Sequence, residues 1–320
     1  MQDLGKIAEQ IVKLKSATIF THIRPDGDTL GSGIALFFAL QRLGIRAEIC
    51  NAQEIPENFR FLEGTEGIVC KPTFEAEAYI AVDAANEERL GALGDLFAGG
   101  KRRKATFNID HHVTNTRYAK ENYVRECAAN CLNMRELIRC MGVPVDRQIA
   151  DALLMGILTD SGNFAHSDVN GEVLRVAAEM VDAGADINRL NYHLFKKQSR
   201  ARAKLYGITM SGIRYFLDDR LAVICVTQEM LDGCGADRSM TEGFVDFPLT
   251  VDGVEVAVAM LEMRQGQYKI SLRSKGKVNV NAVAAVYGGG GHVLASGCML
   301  FGESEDVIDR LRYTVSQYMD

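Results

Sequence analysis

The sequence predicts an α/β fold: a doubly wound, mainly parallel sheet domain followed by a smaller α/β domain. Three observations carry that prediction. Short β-rich runs alternate with amphipathic helical segments through the first half. Several of those runs end directly at His or Asp, where open sheets present groups to ligands. Past residue 187 a basic stretch intervenes, and longer β-rich segments follow.

Taken in order, Leu4, Ile7, Ile11 and Leu14 recur at helical spacing among Lys6, Glu9 and Lys13. The amino terminus therefore reads as an amphipathic helix and not as an export signal. ATIFT (17–21) is a strand stopped by the turn around Pro25 and Gly27, and residues 31–43 continue as a helix through Ile34, Phe37, Phe38 and Leu40. Residues 47–50, AYIAV (78–82) and ATFNI (105–109) are further strands, the last two running into Asp83 and Asp110. A buried helix through Ile149, Leu153, Leu154 and Ile157 ends at Asp160, and another over 173–180 is closed by Gly184. Segment 189–205 is basic and helical, with the solvated face that such spacing usually means. Strands at 220–226, 254–263 and 267–272, a helix at 279–286, four glycines at 288–291 and a closing helix at 305–318 complete the chain. Domains are expected at 1–187 and 207–320, joined by a connector at 188–206.

A length of 320 residues suits two such domains. With 36 Lys and Arg against 42 Asp and Glu, the net charge of −6 excludes a globally basic nucleic-acid coat. A phosphate-bearing partner must then be held by a local site. The longest apolar run, IALFFAL (34–40), is far short of the ~20 residues of a membrane span, so no membrane partner is expected. None of the eight cysteines forms a C-x-x-C pair, and reduced thiols in a cytoplasmic protein are expected. Cys127 and Cys131, four apart in an expected helix, lack the further ligands that zinc would need.

Four loops carry chemistry. His22 precedes Asp26-Gly27-Asp28, an arrangement able to surround a cation and equally able to cap a helix through Asp28 or Thr29. Asp83, taken alone, reads as a turn residue or N-cap. Asp110-His111-His112 pairs adjacent histidines with an acceptor that can fix a ring tautomer. Gly156 to Gly162 ends an apolar helix at Asp160. Three of only six histidines thus fall in loops with five aspartates. Converging carboxylates repel one another unless cations neutralise them. Two divalent ions bridged by one carboxylate can activate water and clamp a phosphoryl group. Mixed Asp/His ligation suits Mn²⁺, with Mg²⁺ or Co²⁺ as alternatives. A dinuclear phosphoesterase accounts for all four loops together, and the absence of G-x-S-x-G disfavours a serine nucleophile.

In this order HIRPDGDTLGS, VDAAN, NIDHHVTN and GILTDSG resemble the four motifs of the DHH phosphoesterase superfamily. SLRSKGKVNVNAVAAVYGGGGHVLASG resembles the DHH-associated substrate domain, so the resemblance spans nearly the whole chain. Chain size and TEGFVDFP point to the branch of oligoribonucleases (nanoRNases) and pAp phosphatases. The resemblance implies that His22, Asp26 and Asp83 hold one metal. Asp28, Asp83, His111 and Asp160 would hold the other, with Asp83 bridging. It implies that His112 faces the scissile phosphate as an electrostatic stabiliser or acid, and that Asp110 orients the neighbouring histidine. Asn86 departs from the acid that the family pattern carries there.

In the second domain the resemblance implies substrate contacts from Arg273, Ser274, Gly289, Gly290, Gly291 and His292. Read as residues alone, Arg273 suits a phosphate, and the glycine run serves a phosphate loop or a helix end equally well. The implied activity is hydrolysis of short RNA oligonucleotides and 3′-phosphoadenosine-5′-phosphate (pAp) in a cleft between the domains, with a homodimer left open. Other readings are a phosphodiesterase cutting pApA in cyclic-dinucleotide breakdown, a RecJ-like single-strand exonuclease, a pyrophosphatase and a non-catalytic nucleotide-binding protein. Extra nucleic-acid-binding domains would favour the exonuclease and are missing, and RSKG with GGGGH argues against a pyrophosphatase. Every expected metal ligand is present, which argues against a silent binder.

Overall fold

The computed structural model describes residues 3–319; Met1, Gln2 and Asp320, included in the expected domains, lie outside the described residues. The chain divides into two compact units, the first ending at Lys197 and the second beginning at Gln198.

The first unit runs α1 (Leu4–Ile11), β1 (Ser16–Phe20), α2 (Gly27–Arg42), β2 (Arg46–Cys50), β3 (Ala78–Val82), α3 (Gly94–Gly100), β4 (Ala105–Asp110) and β5 (Glu121–Val124). Helices α4 (Asn130–Cys140), α5 (Arg147–Asp160), α6 (Gly171–Asp182) and α7 (Ile187–Asn191) follow. Its sheet is parallel throughout, in the order β2-β1-β3-β4-β5. The sequence of β3 explains why. All five residues are buried, Ile80 and Val82 in the larger core and Tyr79 and Ala81 in a smaller one with Phe20 and Phe97. A strand covered on both faces is the natural occupant of a parallel sheet. From β1 the chain moves outward to β2 and then returns to β3 on the other side of β1. The carboxyl ends of β1 and β3 therefore flank the switch point at which such sheets bind ligands.

Two glycines set how closely the helices behind this point approach. A Cβ on Gly31 would lie 2.4 Å from the Ala152 carbonyl oxygen. One on Gly156 would lie 2.3 Å from Cys131 Sγ and 2.6 Å from Asp28 Oδ1. Their absence lets α2 and α5 pack tightly, with Asp28 at the start of one and Asp160 at the end of the other. Gly156→Ala is expected to destabilise the first unit by about 1–3 kcal/mol through overpacking. A denaturant midpoint equal to that of the wild type would contradict this. Cys127 precedes α4 and does not share a helix face with Cys131, contrary to the sequence expectation; all eight cysteines are free thiols.

The second unit comprises α8 (Arg200–Ser211), β6 (Arg214–Phe216), β7 (Leu221–Val226), α9 (Gln228–Cys234), α10 (Asp246–Thr250), β8 (Val256–Arg264) and β9 (Gln267–Ser274). After these come α11 (Val280–Ala285), β10 (Gly290–Gly291), β11 (Ala295–Phe301) and α12 (Ser304–Ser316). Its sheet has the order β10-β11-β9-β8-β7-β6, and only β7 and β8 pair in parallel. Val258, Ile270 and Leu272 pack on one face with Val283, Val307 and Leu311. On the other, Ile224 and Val226 pack with Leu205, Leu231 and Phe244. Among the described residues no helix is long and apolar enough to cross a membrane.

Candidate dinuclear metal centre

Two histidines are presented in the same way. His22, just past β1, is buried, and its Nδ1 donates to the Ile23 carbonyl at 2.9 Å. That bond holds a proton on Nδ1 and turns Nε2, the atom able to ligate a metal, into the cluster. There Nε2 lies 3.4 Å from Asp26 Oδ2 and 3.4 Å from Asp83 Oδ2. His111, just past β4, donates from Nδ1 to the Cys127 carbonyl at 2.8 Å. Its Nε2 lies 3.3 Å from Asp83 Oδ1, 3.7 Å from Asp160 Oδ2 and 3.9 Å from Asp28 Oδ2. One oxygen of Asp83 therefore serves each group.

The backbone explains how these carboxylates are held. Asp83 ends β3 in the left-handed region, φ +54°, which Asp tolerates better than most residues. Its N–H donates to the Ile109 carbonyl at 2.9 Å, holding the turn against β4. Asp26 is the N-cap of α2, its Oδ1 accepting from the N–H groups of Asp28 and Thr29 while Oδ2 faces His22. Sequence reasoning had offered Asp28 or Thr29 for that cap; the structure gives it to Asp26, which meets both demands with its two oxygens. Asp28 is free to serve α4 instead. Its carboxylate accepts from the N–H groups of Asn130 and Cys131, at a helix start whose own N-cap residue, Ala129, has no acceptor.

His22 Nε2 and Asp83 Oδ1 are buried without a hydrogen-bond partner. Burial alone would lower the His22 imidazole, but Asp26 and Asp83 outweigh it and raise its pKa to about 10. His111 is likewise raised to about 10, burial being outweighed by Asp83 and Asp28. Burial, followed by Asp28 and Asp83, pushes Asp160 up to about 10; burial and Asp83 push Asp28 up to about 7. Asp26 moves the other way, because His22 outweighs its burial. The cluster thus retains protons where divalent ions would displace them. Among the described residues three sets of donor atoms are close enough to share an ion: His22, Asp26 and Asp83; Asp28, His111 and Asp160; and Asp83, His111 and His112. The donors present fit two divalent cations flanking Asp83.

His112 is held differently. Its Nδ1 donates to Asp110 Oδ1 at 2.8 Å, and buried Asp110 also accepts from Asn115 Nδ2 through Oδ2 at 2.6 Å. Burial would raise the Asp110 carboxyl, but His112 and Asn115 hold it below its ordinary value. Asn115 donates as well to Asn108 Oδ1 at 2.7 Å. Sequence reasoning missed this amide pair, although both residues stand inside the quoted NIDHHVTN segment. It also missed the Ile23 and Cys127 carbonyls, which no side-chain signal could reveal. His166 Nδ1 donates to the Asp160 backbone carbonyl at 2.7 Å and does not engage its carboxylate. Asn86 caps the 3₁₀ segment Glu87–Leu93 by accepting from the Arg89 N–H.

In the second unit the expected substrate residues separate. Arg273 lies on β9 opposite Ala295, with Nε 3.2 Å from Asp246 Oδ1. Ser274 instead points to the covered face and is buried, its Oγ accepting from the Gly276 N–H; it shapes a turn and is not presented with Arg273. Gly290 and Gly291 pair with β11, and His292 is exposed at the tip of that hairpin. The glycines have a packing reason of their own. A Cβ on Gly289 would lie 2.2 Å from the Gly297 carbonyl oxygen, and Gly291 has φ +147°.

Comparison with known proteins agrees with this architecture. Residues 16–157 match the DHH family N-terminal domain and residues 220–320 the DHHA1 domain. The first match takes in every candidate metal ligand except Asp160, which the geometry adds. The bifunctional oligoribonuclease and PAP phosphatase NrnA of Thermus thermophilus is 32% identical over 93% of this chain and 88% of its own. Proteins of the same name from Mycoplasma genitalium (29% identical, 92% and 93% covered) and Bacillus subtilis (26%, 91% and 90%) are also similar. The fold matches that of an exopolyphosphatase-related protein from Bacteroides fragilis, with a TM-score of 0.84, 24% identity and coverage of 98% and 96%. The chain belongs to the DHH phosphoesterase family.

Proposed function

We propose that the chain is a dinuclear-metal phosphohydrolase acting on short RNA oligonucleotides and on pAp. The observation that carries the metal-dependent reading is Asp83, whose two oxygens face two separate histidines, each with its Nε2 turned inward. The substrates are suggested by the relatives named above, which are oligoribonucleases and PAP phosphatases. His22, Asp26 and Asp83 would hold one ion, and Asp28, Asp83, His111 and Asp160 the other. Mn²⁺ suits this donor set ahead of Mg²⁺ or Co²⁺. Bound there, such ions polarise a phosphoryl oxygen and acidify a water. Residues up to 187 would form the metal-binding domain and residues from 207 the substrate-binding domain. Eight free thiols support a reducing, cytoplasmic setting.

The protein's own part is positioning and proton control. Asp110 keeps the Nδ1 proton of His112 in place, so Nε2 is the ring atom available to the phosphoryl group. A protonated His112 would stabilise charge that builds on that group. Asp110→Asn is expected to lower kcat by about 10–100-fold, the usual cost of losing a partner that orients a site residue. Bound Mn²⁺ should stay at the wild-type level, measured by elemental analysis; loss of metal together with activity would show that Asp110 instead supports the ligands.

The substrate reading is tested by offering the full chain, with Mn²⁺, pAp, an RNA dinucleotide, a 24-mer RNA, pApA and pyrophosphate. Turnover of pAp and the dinucleotide ahead of the 24-mer is expected. Hydrolysis of pyrophosphate alone, or of nothing, would overturn it.

A further inference from the structure

Beside the His22 loop stands an arginine that the metal centre does not use as a ligand. Arg89 lies in the 3₁₀ segment Glu87–Leu93, and three features fix that segment in place. The Ile23 N–H donates to the Arg89 carbonyl at 2.8 Å. Gly91 has φ +60°, and a Cβ there would lie 2.4 Å from Ile23 Cγ2. Leu90 and Leu93 are buried in the smaller core with Phe20 and Phe97. The backbone of Arg89 is thus tied to the residue that follows His22. Its side chain is half-buried, yet the guanidinium makes no hydrogen bond or ion pair among the described residues.

The guanidinium is near enough to Asp26 to act on it. Burial would raise the Asp26 carboxyl, and His22, the Thr29 N–H and then the Arg89 charge lower it. No hydrogen bond joins the two side chains, because both oxygens of Asp26 are engaged elsewhere. Oδ1 accepts from the Asp28 and Thr29 N–H groups, and Oδ2 faces His22 Nε2. Glu87, on the same segment as Arg89, pairs with Lys101. A fork of five donors on an anchored stem, with no acceptor of its own, matches a phosphoryl group. Asp26 and His112 belong to different donor sets that share only Asp83. Arg89 and His112 therefore stand beside different parts of the centre, and a phosphoryl group over Asp83 would meet a cation from each.

We propose that Arg89 is a catalytic residue. Its guanidinium hydrogen-bonds a non-bridging oxygen of the phosphoryl group on the Asp26 side of the centre and stabilises the charge that builds there during hydrolysis. The inference rests on the phosphohydrolase reading above and adds to it a second cation besides His112. Arg24, exposed on the His22 loop, supplies the comparison, since its charge is screened by water.

The test joins two measurements on the full chain: steady-state hydrolysis of pAp with Mn²⁺, and calorimetric binding of inorganic phosphate to the Mn²⁺-loaded protein. Arg89→Ala should lower kcat by about 10²–10³-fold, the usual cost of removing one such donor. It should also weaken phosphate binding by about tenfold or more, with Mn²⁺ per chain at the wild-type level. Arg89→Lys keeps the charge without the fork and should recover only part of the rate. Added ethylguanidinium should raise the rate of Arg89→Ala and leave the wild type unchanged, which a purely structural role would not produce. Arg24→Gln should behave as the wild type does. Wild-type kcat and phosphate affinity in Arg89→Ala, Mn²⁺ lost together with the rate, or an equal loss in Arg24→Gln would overturn the proposal. Phosphate binding that depends on Arg89 in a chain that hydrolyses no pAp would uphold the contact and sink the hydrolase reading. Hydrolysis of pAp by wild type and Arg89→Ala alike would do the reverse.

Discussion

Asp83→Asn is expected to lower turnover on the order of 10³-fold or more and to reduce the Mn²⁺ bound per chain. Replacing a residue that merely orients a ligand costs about 10–100-fold. Asp83 is more exposed to loss than that, because its oxygens lie 3.4 Å from His22 Nε2 and 3.3 Å from His111 Nε2, one in each group. Removing its charge weakens both groups at once. Asn is the informative replacement, since it preserves shape and tolerates the left-handed backbone at φ +54°. Ala would add backbone strain of about 1–2 kcal/mol and confuse a folding defect with a chemical one. Circular dichroism should match the wild type while elemental analysis shows lost metal. Wild-type rates in Asp83→Asn would mean that Asp83 does not bridge.

The second large effect is on stability, and its sign follows from the cluster's protonation. His22, His111 and Asp160 are raised to about 10 and Asp28 to about 7 in the metal-free protein. A raised group holds its proton in the folded state after the unfolded chain has released it. Its contribution is therefore complete below the unfolded pKa and is lost as pH rises through the folded value. Metal-free protein should lose stability steadily between pH 6 and pH 9. Bound ions replace those protons, so the metal-loaded protein should lack this loss. Each proton displaced makes ion binding about tenfold tighter per pH unit, which at about 1.4 kcal/mol corresponds to ~3–5 °C in the melting temperature. With more than one proton displaced, thermal unfolding with EDTA and with Mn²⁺ should diverge by at least that much per pH unit. Parallel curves across the range would contradict the assignment.

Much of the first unit was legible because its strands end in chemistry. AYIAV running into Asp83 and ATFNI into Asp110 mark apolar strands that stop at polar residues, and both appear as β3 and β4 with their ends at the site. Strand β5 was not anticipated: its four residues, ENYV, include Glu121 and Asn122 and show no apolar run. Helix α4 was anticipated only around Cys127 and Cys131, and its run to Cys140 was not, for a related reason. Arg135, Glu136 and Arg139 dilute its apolar pattern, and its N-terminus is met by Asp28, about a hundred residues away in sequence. No local signal reports a cap supplied from another helix. The same limit applies to the site. Its acids and histidines could be named from spacing, but the carbonyls of Ile23 and Cys127 that orient the rings belong to the backbone alone. In the second unit Arg273 and Ser274 are adjacent in sequence, and strand alternation sends them to opposite faces. Lys269, two steps away in that alternation, shares the face with Arg273.

The central claim is that Asp83 stands between two cation sites, one built on His22 and one on His111. Anomalous diffraction at the manganese edge from crystals grown with Mn²⁺ tests it directly. The account predicts two peaks about 3.5–4 Å apart, each beside one oxygen of Asp83. A single peak, or peaks away from Asp83, would contradict it.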